Sequence, residues 1–310
     1  MTDLDHGDDV RVVVGVPTYR RPGCLQRLLP MLVEQAPTVG ARIVVVDNDP
    51  DGSAEPHVRT WSDHGVGYVH EKRPGLAAAR NCALNRAREA DVLVFIDDDE
   101  TPSPHWLSEL VRAWQIWRCT AVTGPVRPVF DGQVDPWVLA TGTFGRRRLA
   151  TGEHVFGAAT NNLLLDVAQV TALGLAFDER FGLTGGEDTM FVHDLLRRGG
   201  TIRWCDEAEV QELIPPSRSS RRWVLGRTFR AGTTWSQVAL ALAKGRVCRV
   251  RERLELTLRA IWRIITGVAH FTRGVLGRNV TDRARGACAV TAGAGMLAGA
   301  YGYRYYEYRR

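Results

Sequence analysis

The stretch Val92-Leu93-Val94-Phe95-Ile96-Asp97-Asp98-Asp99-Glu100 decides the fold class. Five apolar residues, rich in β-branched and aromatic types, read as a strand buried on both faces, as in the interior of a parallel sheet. Four carboxylates follow without a spacer. Open α/β sheets bind ligands in the crevice beyond the carboxyl ends of their strands, so these acids stand where a ligand sits. Clustered carboxylates repel one another unless a cation intervenes. Mg²⁺ and Mn²⁺ take oxygen ligands, commonly one or two carboxylates plus substrate phosphates, which makes a metal-bound phosphorylated ligand the first hypothesis. A solvated acidic turn is the plainer alternative.

Upstream, Arg11-Val12-Val13-Val14-Gly15-Val16 reads as another buried strand, broken by Pro17-Thr18-Tyr19-Arg20-Arg21-Pro22. Leu25, Leu28, Leu29, Leu32 and Val33 form a helical stripe. Ile43 to Val46 is a strand that again ends in acids, Asp47-Asn48-Asp49. A short strand around Val66 to Val69 and a helix from about Leu76 to Ala90 lead back to Val92. This alternation is that of a doubly wound parallel sheet, whose geometry lets Asp47 and Asp97 to Asp99 converge on one crevice. Between them, Arg73-Pro74-Gly75-Leu76-Ala77-Ala78-Ala79-Arg80-Asn81 places a small-residue turn at a helix start beside two arginines, a setting that suits phosphate. Taken alone, Arg80 is equally a surface helix charge.

The segments Val16-Pro17-Thr18-Tyr19, Val46-Asp47-Asn48-Asp49, Gly75 to Asn81 and Phe95-Ile96-Asp97-Asp98-Asp99, in this order, resemble the bacterial family 2 glycosyltransferases of the GT-A fold. The resemblance covers roughly the first two-thirds of the chain. It implies a GT-A catalytic domain over residues 1–224 with a mainly parallel central sheet, followed by a basic amphipathic helical region over 225–310. It also implies an inverting transfer of a sugar from a nucleotide-sugar donor to a hydroxyl acceptor, with Mg²⁺ or Mn²⁺ as cofactor. On that pattern Pro17, Thr18, Tyr19, Asp47 and Asp49 lie at the nucleotide. Arg73, Gly75 and Arg80 lie near the phosphates. Asp97 holds the ribose or the metal environment, Asp98 lies in the donor site, and Asp99 binds the metal.

The helix carrying Trp106, Leu107, Leu110, Val111 and Trp114 is expected to open at Ser103 as N-cap with Pro104 at its first position. Cys119 to Val122 reads as strand. Residues 128–154, rich in glycine and carrying Arg146-Arg147-Arg148, read as a long loop, either an acceptor loop or a surface insertion. Ala158 to Leu165 is strand-like, and the resemblance places Asn161 under the donor sugar. Phe181-Gly182-Leu183-Thr184-Gly185-Gly186-Glu187-Asp188 opens a helix on two acids. Helix N-termini commonly carry acids for the dipole alone. The resemblance makes Asp188 the catalytic base and Glu187 its support. Glu212 stands where many GT-A enzymes have a metal-binding His, and either supplies a third oxygen ligand or neutralises Arg218. Ser219-Ser220-Arg221-Arg222-Trp223 is similar to the QxxRW box of processive members but lacks its Gln, which points to single addition. Arg222 and Trp223 are its acceptor-side residues, although a Trp more often fills a core.

Composition bounds these readings. The 310 residues are 45% apolar and 24% charged, ordinary values for a globular chain. Six cysteines, with no CxxC pair, argue against a zinc knot or a disulfide framework and suit reduced thiols. The polar, acidic start Met1 to Asp9 lacks the features of a signal peptide, so a cytoplasmic protein is expected. Residues 1–215 hold 21 Lys and Arg against 31 Asp and Glu, a net of −10. Residues 216–310 hold 19 against 4, a net of +15. The basic part therefore meets an anionic surface or covers the acidic part.

Within it, Leu254, Leu258, Ile261, Ile265, Val268 and Val275 recur at helical spacing among Arg253, Arg259, Arg263 and Arg273. Such a helix either lies on an anionic membrane at the inner face of the cell or packs on the catalytic domain. Ala287 to Tyr303, rich in Gly and Ala, is short for a membrane span and reads as a closely packed helix or a shallow interfacial one. The aromatic and basic end, Tyr301 to Arg310, has the composition of an interface, and no nucleic-acid module accompanies it. Two rival functions stand beside sugar transfer: a nucleotidyltransferase, whose Gly-rich basic loop after the first strand is absent here, and a catalytically idle adaptor. A dinucleotide oxidoreductase lacks its GxGxxG.

Overall fold

The computed structural model describes residues 10–146 and 148–304. The acidic start Met1 to Asp9, Arg147, and the terminal Tyr305, Tyr306, Tyr308, Arg309 and Arg310 lie outside the described residues. The chain begins with β1 Val12–Thr18, α1 Pro22–Gln35, β2 Ala41–Asp47, α2 Glu55–Arg59, β3 Val66–His70, α3 Leu76–Arg86, β4 Val92–Ile96 and β5 Glu100–Pro102. It continues through α4 Trp106–Trp117, β6 Ala121–Thr123, β7 Val126–Phe130, α5 Pro136–Ala140, β8 Asn162–Asp166 and α6 Val167–Ala172. The last elements are α7 Glu187–Arg197, β9 Ile202–Trp204, β10 Val210–Ile214, α8 Arg221–Leu242, α9 Arg246–Leu276 and α10 Val280–Ala300. These form two compact units, one from the described parts of 1–127, 147–182 and 187–212, the other from 128–146, 183–186 and 213–310.

A seven-stranded sheet in the order β3-β2-β1-β4-β8-β6-β9 forms the middle of the first unit. The strands β3, β2, β1 and β4 run parallel, β8 is antiparallel to both β4 and β6, and β9 is parallel to β6. The mainly parallel sheet expected from the sequence is present. Alternation along β1 sends Val12, Val14 and Val16 into one apolar layer, with Leu25, Leu29, Trp106 and Leu110 of α1 and α4. Val13 enters the other layer, with Ala79 and Ala83 of α3 and Phe191 of α7. The register places Thr18 beside Asp47, so β1 and β2 end together on one edge.

Three local expectations change. The fourth helix starts at Trp106 with His105 in the cap position and no side-chain cap; Ser103 contributes its carbonyl to the Trp106 N–H, and its hydroxyl is buried without a partner. The strand expected over 158–165 begins at Asn162, so Asn161 ends the loop before it. The segment read as a long loop contains strand β7 and helix α5, the latter capped by the Asp135 carboxylate on the Trp137 N–H.

The second unit is largely three long helices. Helix α10 packs along α8 and α9 through small residues, as the Gly and Ala content from Ala287 onward suggested. A Cβ on Gly295 would stand 2.0 Å from the Phe229 carbonyl oxygen, so only glycine allows this approach. Among the described residues no helix is long and apolar enough to cross a membrane.

Candidate functional site

The carboxyl edge of β1, β2 and β4 gathers most of the residues singled out in the sequence, and each has a defined environment. Asp47, at the end of β2, is fully buried. One of its oxygens accepts the Asp49 N–H at 2.9 Å; the other accepts the Ala54 N–H at 2.8 Å and the Tyr68 hydroxyl at 3.1 Å. With no exposed surface, Asp47 acts on a ligand only through the loop it holds. Asp49 is also buried and pairs with Arg20 at 3.0 Å. Burial raises its pKa, but hydrogen bonds from Arg20 and the Asp51 N–H outweigh that and leave it lowered. Arg20 in turn lies against the half-buried Tyr19 ring.

The three aspartates after β4 divide into two kinds. Asp98 points inward, accepting the Thr18 hydroxyl at 2.7 Å and Arg21 Nη1 at 3.2 Å. Burial pushes its pKa up to about 6 against the pull of Arg21. Asp98 therefore ties the β1 loop to the β4 loop. Asp97 and Asp99 keep exposed carboxylate surface, 34% and 18% of their side chains. Asp99 meets Arg21 Nη1 at 2.8 Å.

The fourth acid, Glu100, is buried. Its carboxylate accepts the Asp97 N–H at 3.3 Å and Asn161 Nδ2 at 2.5 Å. Glu100 also stands directly opposite Glu212 in the antiparallel pair β5 and β10. Like charges so placed destabilise one another. Burial, then the carboxylates of Asp97, Asp99 and Glu212, raise the Glu100 pKa well above the usual range. Burial likewise raises Asp97, with Asp99 and Glu212 adding to it and Arg80 opposing it. Asn161 leaves its buried Oδ1 without a partner.

This donor set fits Mg²⁺ or Mn²⁺. Its ligands are hard oxygens, and the mutual repulsion of the acids is what a cation relieves. Among the described residues no three His, Cys, Asp or Glu side chains form a cage. A site of this kind takes one or two carboxylates and leaves the remaining positions to phosphate and water, and Asp97 and Asp99 are the acids here that keep exposed surface.

The start of α3 is organised differently from the expectation of a phosphate-binding helix terminus. Asn48 accepts the Gly75 N–H at 2.9 Å and donates to the Glu71 and Arg73 carbonyls. The Leu76 N–H goes to the Gly182 carbonyl at 3.1 Å. Gly75, at φ +112°, is so close to Gly182 that a Cβ would stand 2.9 Å from backbone. These N–H groups are satisfied within the protein, and Arg73 is exposed, paired with Glu71 and Glu179. What α3 does offer is Arg80. Its guanidinium is buried, lies over the Phe177 ring, bonds Glu187 through Nη1 and stands 3.6 Å from Asp97 through Nη2.

Glu187 and Asp188 open α7. Burial pushes Glu187 up to about 7; Arg80 opposes this, while Asp188 and Asp97 add to it. The second Glu187 oxygen, Oε2, is buried without a hydrogen bond. Asp188 is half-buried and accepts its neighbour's Thr189 N–H at 2.6 Å. One guanidinium thus joins the acids after β4 to Glu187, which lies 107 residues beyond Arg80 in the chain.

Arg222 and Trp223 belong to the second unit. Arg222 is exposed, and the Trp223 ring stacks on Phe144 at 5.9 Å with Arg227 over its face. Trp223 therefore contributes to an apolar cluster with Trp137, Val138 and Val224, the core alternative of its two readings. The residues that sequence reasoning passed over are Arg21, Asn48 and Glu100. All three lie inside quoted motifs, and the signal that marks them is a charged or amide side chain among residues otherwise bound for burial.

Comparison with known proteins gives a consistent picture. Residues 13–168 match the family model described as glycosyl transferase family 2. The succinoglycan biosynthesis protein ExoM of Rhizobium meliloti (strain 1021) is 34% identical over 244 residues, covering 77% of this chain and 78% of that protein. Hyaluronan synthase of Pasteurella multocida is 24% identical over 240 residues, which is 66% of this chain and 25% of that one. Among solved structures, S. aureus TarS 1-349 in complex with UDP-GlcNAc superposes with a TM-score of 0.54 at 14% identity, covering 92% of this chain and 90% of that one. GalNAc-T7 with UDP, GalNAc and Mn²⁺ gives 0.56 at 15%, covering 82% and 55%. At such identities the structures establish a shared fold, the GT-A architecture that the four motifs implied.

Proposed function

Since the chain belongs to glycosyl transferase family 2, we propose that its acid-rich sheet edge transfers one sugar from a nucleoside diphosphate sugar to a hydroxyl of a saccharide acceptor. The observation that carries this reading is the buried Arg80, shared between Asp97 and Glu187. A transferase must hold two partners at once, and Arg80 fixes the acids of a donor site relative to the acids of an acceptor site. Uridine diphosphate is the favoured nucleotide, because the similar folds of TarS and GalNAc-T7 hold UDP. A growing glycan is the favoured acceptor class, in keeping with ExoM being a succinoglycan biosynthesis protein.

The loop organised by Asp47 and Asn48 would carry the base and ribose beside Tyr19, which keeps exposed surface, while the buried Thr18 and Asp49 hold that edge through Asp98 and Arg20. Asp99 and Asp97, with Glu212 beside them, would hold Mg²⁺ or Mn²⁺, which when bound offsets the charge that develops on the departing diphosphate. Glu100 holds the Asp97 backbone and is itself held by Asn161, so the turn carrying the ligands is braced from behind. Asp188 removes the proton from the acceptor hydroxyl as its oxygen attacks the anomeric carbon, the C1–O bond to the diphosphate breaks, and configuration inverts. Glu187 orients Asp188 and the acceptor. The departure from the QxxRW box at Ser219 to Trp223 favours single addition over polymerisation.

A panel of nucleotide sugars, screened for metal-dependent thermal stabilisation and for transfer, tests this reading. A UDP-sugar should stabilise the protein only with Mg²⁺ or Mn²⁺ present. Asp99→Ala should remove that stabilisation. Asp188→Asn should keep it while lowering kcat by about 10²–10⁴-fold. If no nucleotide sugar binds with either metal, the transferase reading fails; if Asp188→Asn retains full transfer, the base is another residue.

A further inference from the structure

Helix α9 runs 31 residues and presents two unlike faces. Leu256, Ala260, Gly267 and Gly274 are buried, the two glycines against Ala289, Val290, Asp282 and Arg283 of α10. Turned away from that contact is an apolar stripe that includes Leu254, Leu258, Ile261, Trp262, Ile265 and Val268, all exposed, Leu258 by 68% and Trp262 by 69%. Their spacing of three and four residues keeps them on one side of the helix. Val247 and Leu276 extend the stripe to both ends, over about 44 Å at 1.5 Å per residue. Monomeric soluble proteins rarely leave a continuous apolar surface of this size in water.

Charge identifies what covers it. The helix carries seven arginines against two glutamates. At 100° per residue, Arg251 falls within the sector of the stripe and Arg246 and Arg273 at its margins. Glu255 also lies at the margin, paired to Arg251 and Arg259. A second copy of the chain would bring arginine against arginine inside an apolar contact, where interfaces are depleted of charge. Anionic lipid headgroups accept the guanidinium groups while the aliphatic side chains enter the acyl boundary. Trp262 has the amphipathic ring favoured at that depth. Exposed Tyr301, whose hydroxyl meets Thr257 at 3.3 Å and whose ring lies under Arg253, adds a second aromatic group beside the helix.

We propose that α9 is a membrane-docking helix that lies in the plane of an anionic bilayer surface, with its Leu254 to Val268 stripe inserted and its arginines at the headgroups. Flotation of the full chain with phosphatidylcholine vesicles, with and without about one-third phosphatidylglycerol, tests it. The protein should float with the anionic vesicles and several-fold less with neutral ones, and the difference should shrink as salt rises to about 0.5 M. Leu258→Glu/Ile265→Glu should lower partitioning by roughly tenfold or more, with an unchanged thermal melt. Should that variant fail to fold, Leu258→Ser/Ile265→Ser repeats the measurement. The proposal is overturned if the wild type does not float with anionic vesicles, or if the variant floats as well as the wild type. It is equally overturned if light scattering shows a dimer that Leu258→Glu/Ile265→Glu converts to monomer while no vesicle is bound, because a second copy then covers the stripe.

Discussion

The edge of the sheet after β4 and the outer face of α9 depart from ordinary burial in opposite directions. At the sheet edge, Asp98, Glu100, Arg80 and Glu187 are ionisable side chains taken out of water. On α9, Leu258 and Trp262 are apolar side chains left in it. Each departure costs stability locally, and each is held by a different kind of structure. The buried groups are fixed by hydrogen bonds and ion pairs that share partners, so loss of any partner strands the rest. The exposed stripe is supported from behind by small-residue packing on α10, so its outer side chains are replaceable. Stability and function are therefore coupled tightly at the sheet edge and loosely on the helix.

Breaking the Arg80 bridge should have the largest effect. Arg80→Met leaves Glu187 and Asp97 without their shared cation in a site where both Arg80 and Glu187 side chains are 4% exposed. Removing one partner of a buried pair costs about 3–5 kcal/mol. Urea unfolding near neutral pH should show a loss of this order, smaller in acid, where Glu187 can take a proton. Arg80→Met/Glu187→Gln should recover part of it. A loss below roughly 1 kcal/mol would mean that solvent screens the pair as at a surface.

The glycine contacts of the long helices come next. Gly295→Val sets a side chain where the Phe229 carbonyl stands and should destabilise by about 1–3 kcal/mol or more through overpacking. Gly226, in the interior of α8, has nothing within 4 Å of its Cβ position. Gly226→Ala should therefore stabilise by about 0.5–1 kcal/mol through helix propensity. Opposite signs from two glycines in one helical unit, read by thermal unfolding, would sharpen the distinction between contact and exposed faces.

These contrasts were unevenly legible in the sequence. The run Val92 to Ile96 followed by Asp97 disclosed both strand and site, because burial and charge change within one residue. The pairing of Arg80 with Glu187 was not legible, since contact between residues 107 apart is set by the packing of α3 and α7. Nor did three consecutive aspartates reveal that Asp98 turns inward to Thr18 while Asp97 and Asp99 keep exposed surface; the turn closed by Asp97 and Glu100 decides that. Ser103-Pro104 resembles a helix start, yet the Ser103 carbonyl is used instead of its side chain and the helix waits for Trp106. On α9 the period was plain, but periodicity marks two faces without saying which one a neighbour covers. The glycines of α10 answer that by fitting against the Gly267 side.

A pH titration probes the sheet edge more finely. Glu187 sits at about 7 in the folded protein against an ordinary 4.5, so the folded state holds its proton over a range in which the unfolded chain has lost it. Its contribution to stability is present below about pH 4.5 and is lost as pH rises through about 7, an effect on the order of 3 kcal/mol. Glu187→Gln should flatten that part of the stability profile in metal-free buffer. If the slope between these pH values is unchanged in Glu187→Gln, another group holds the proton.

The smallest effect on folding is expected on α9. In Leu258→Glu/Ile265→Glu both positions are already exposed, by 68% and 57%, so the substitution removes little buried area and leaves no cavity. Surface changes of this kind stay within about 0.5 kcal/mol. Chemical denaturation should therefore place the variant beside the wild type in the absence of lipid. With anionic vesicles present the two should separate, because a surface that binds only the folded protein raises its apparent stability by mass action. Wild type should gain stability with added vesicles and the variant should gain little. A variant destabilised by several kcal/mol without lipid would show that the stripe is part of the protein's own core.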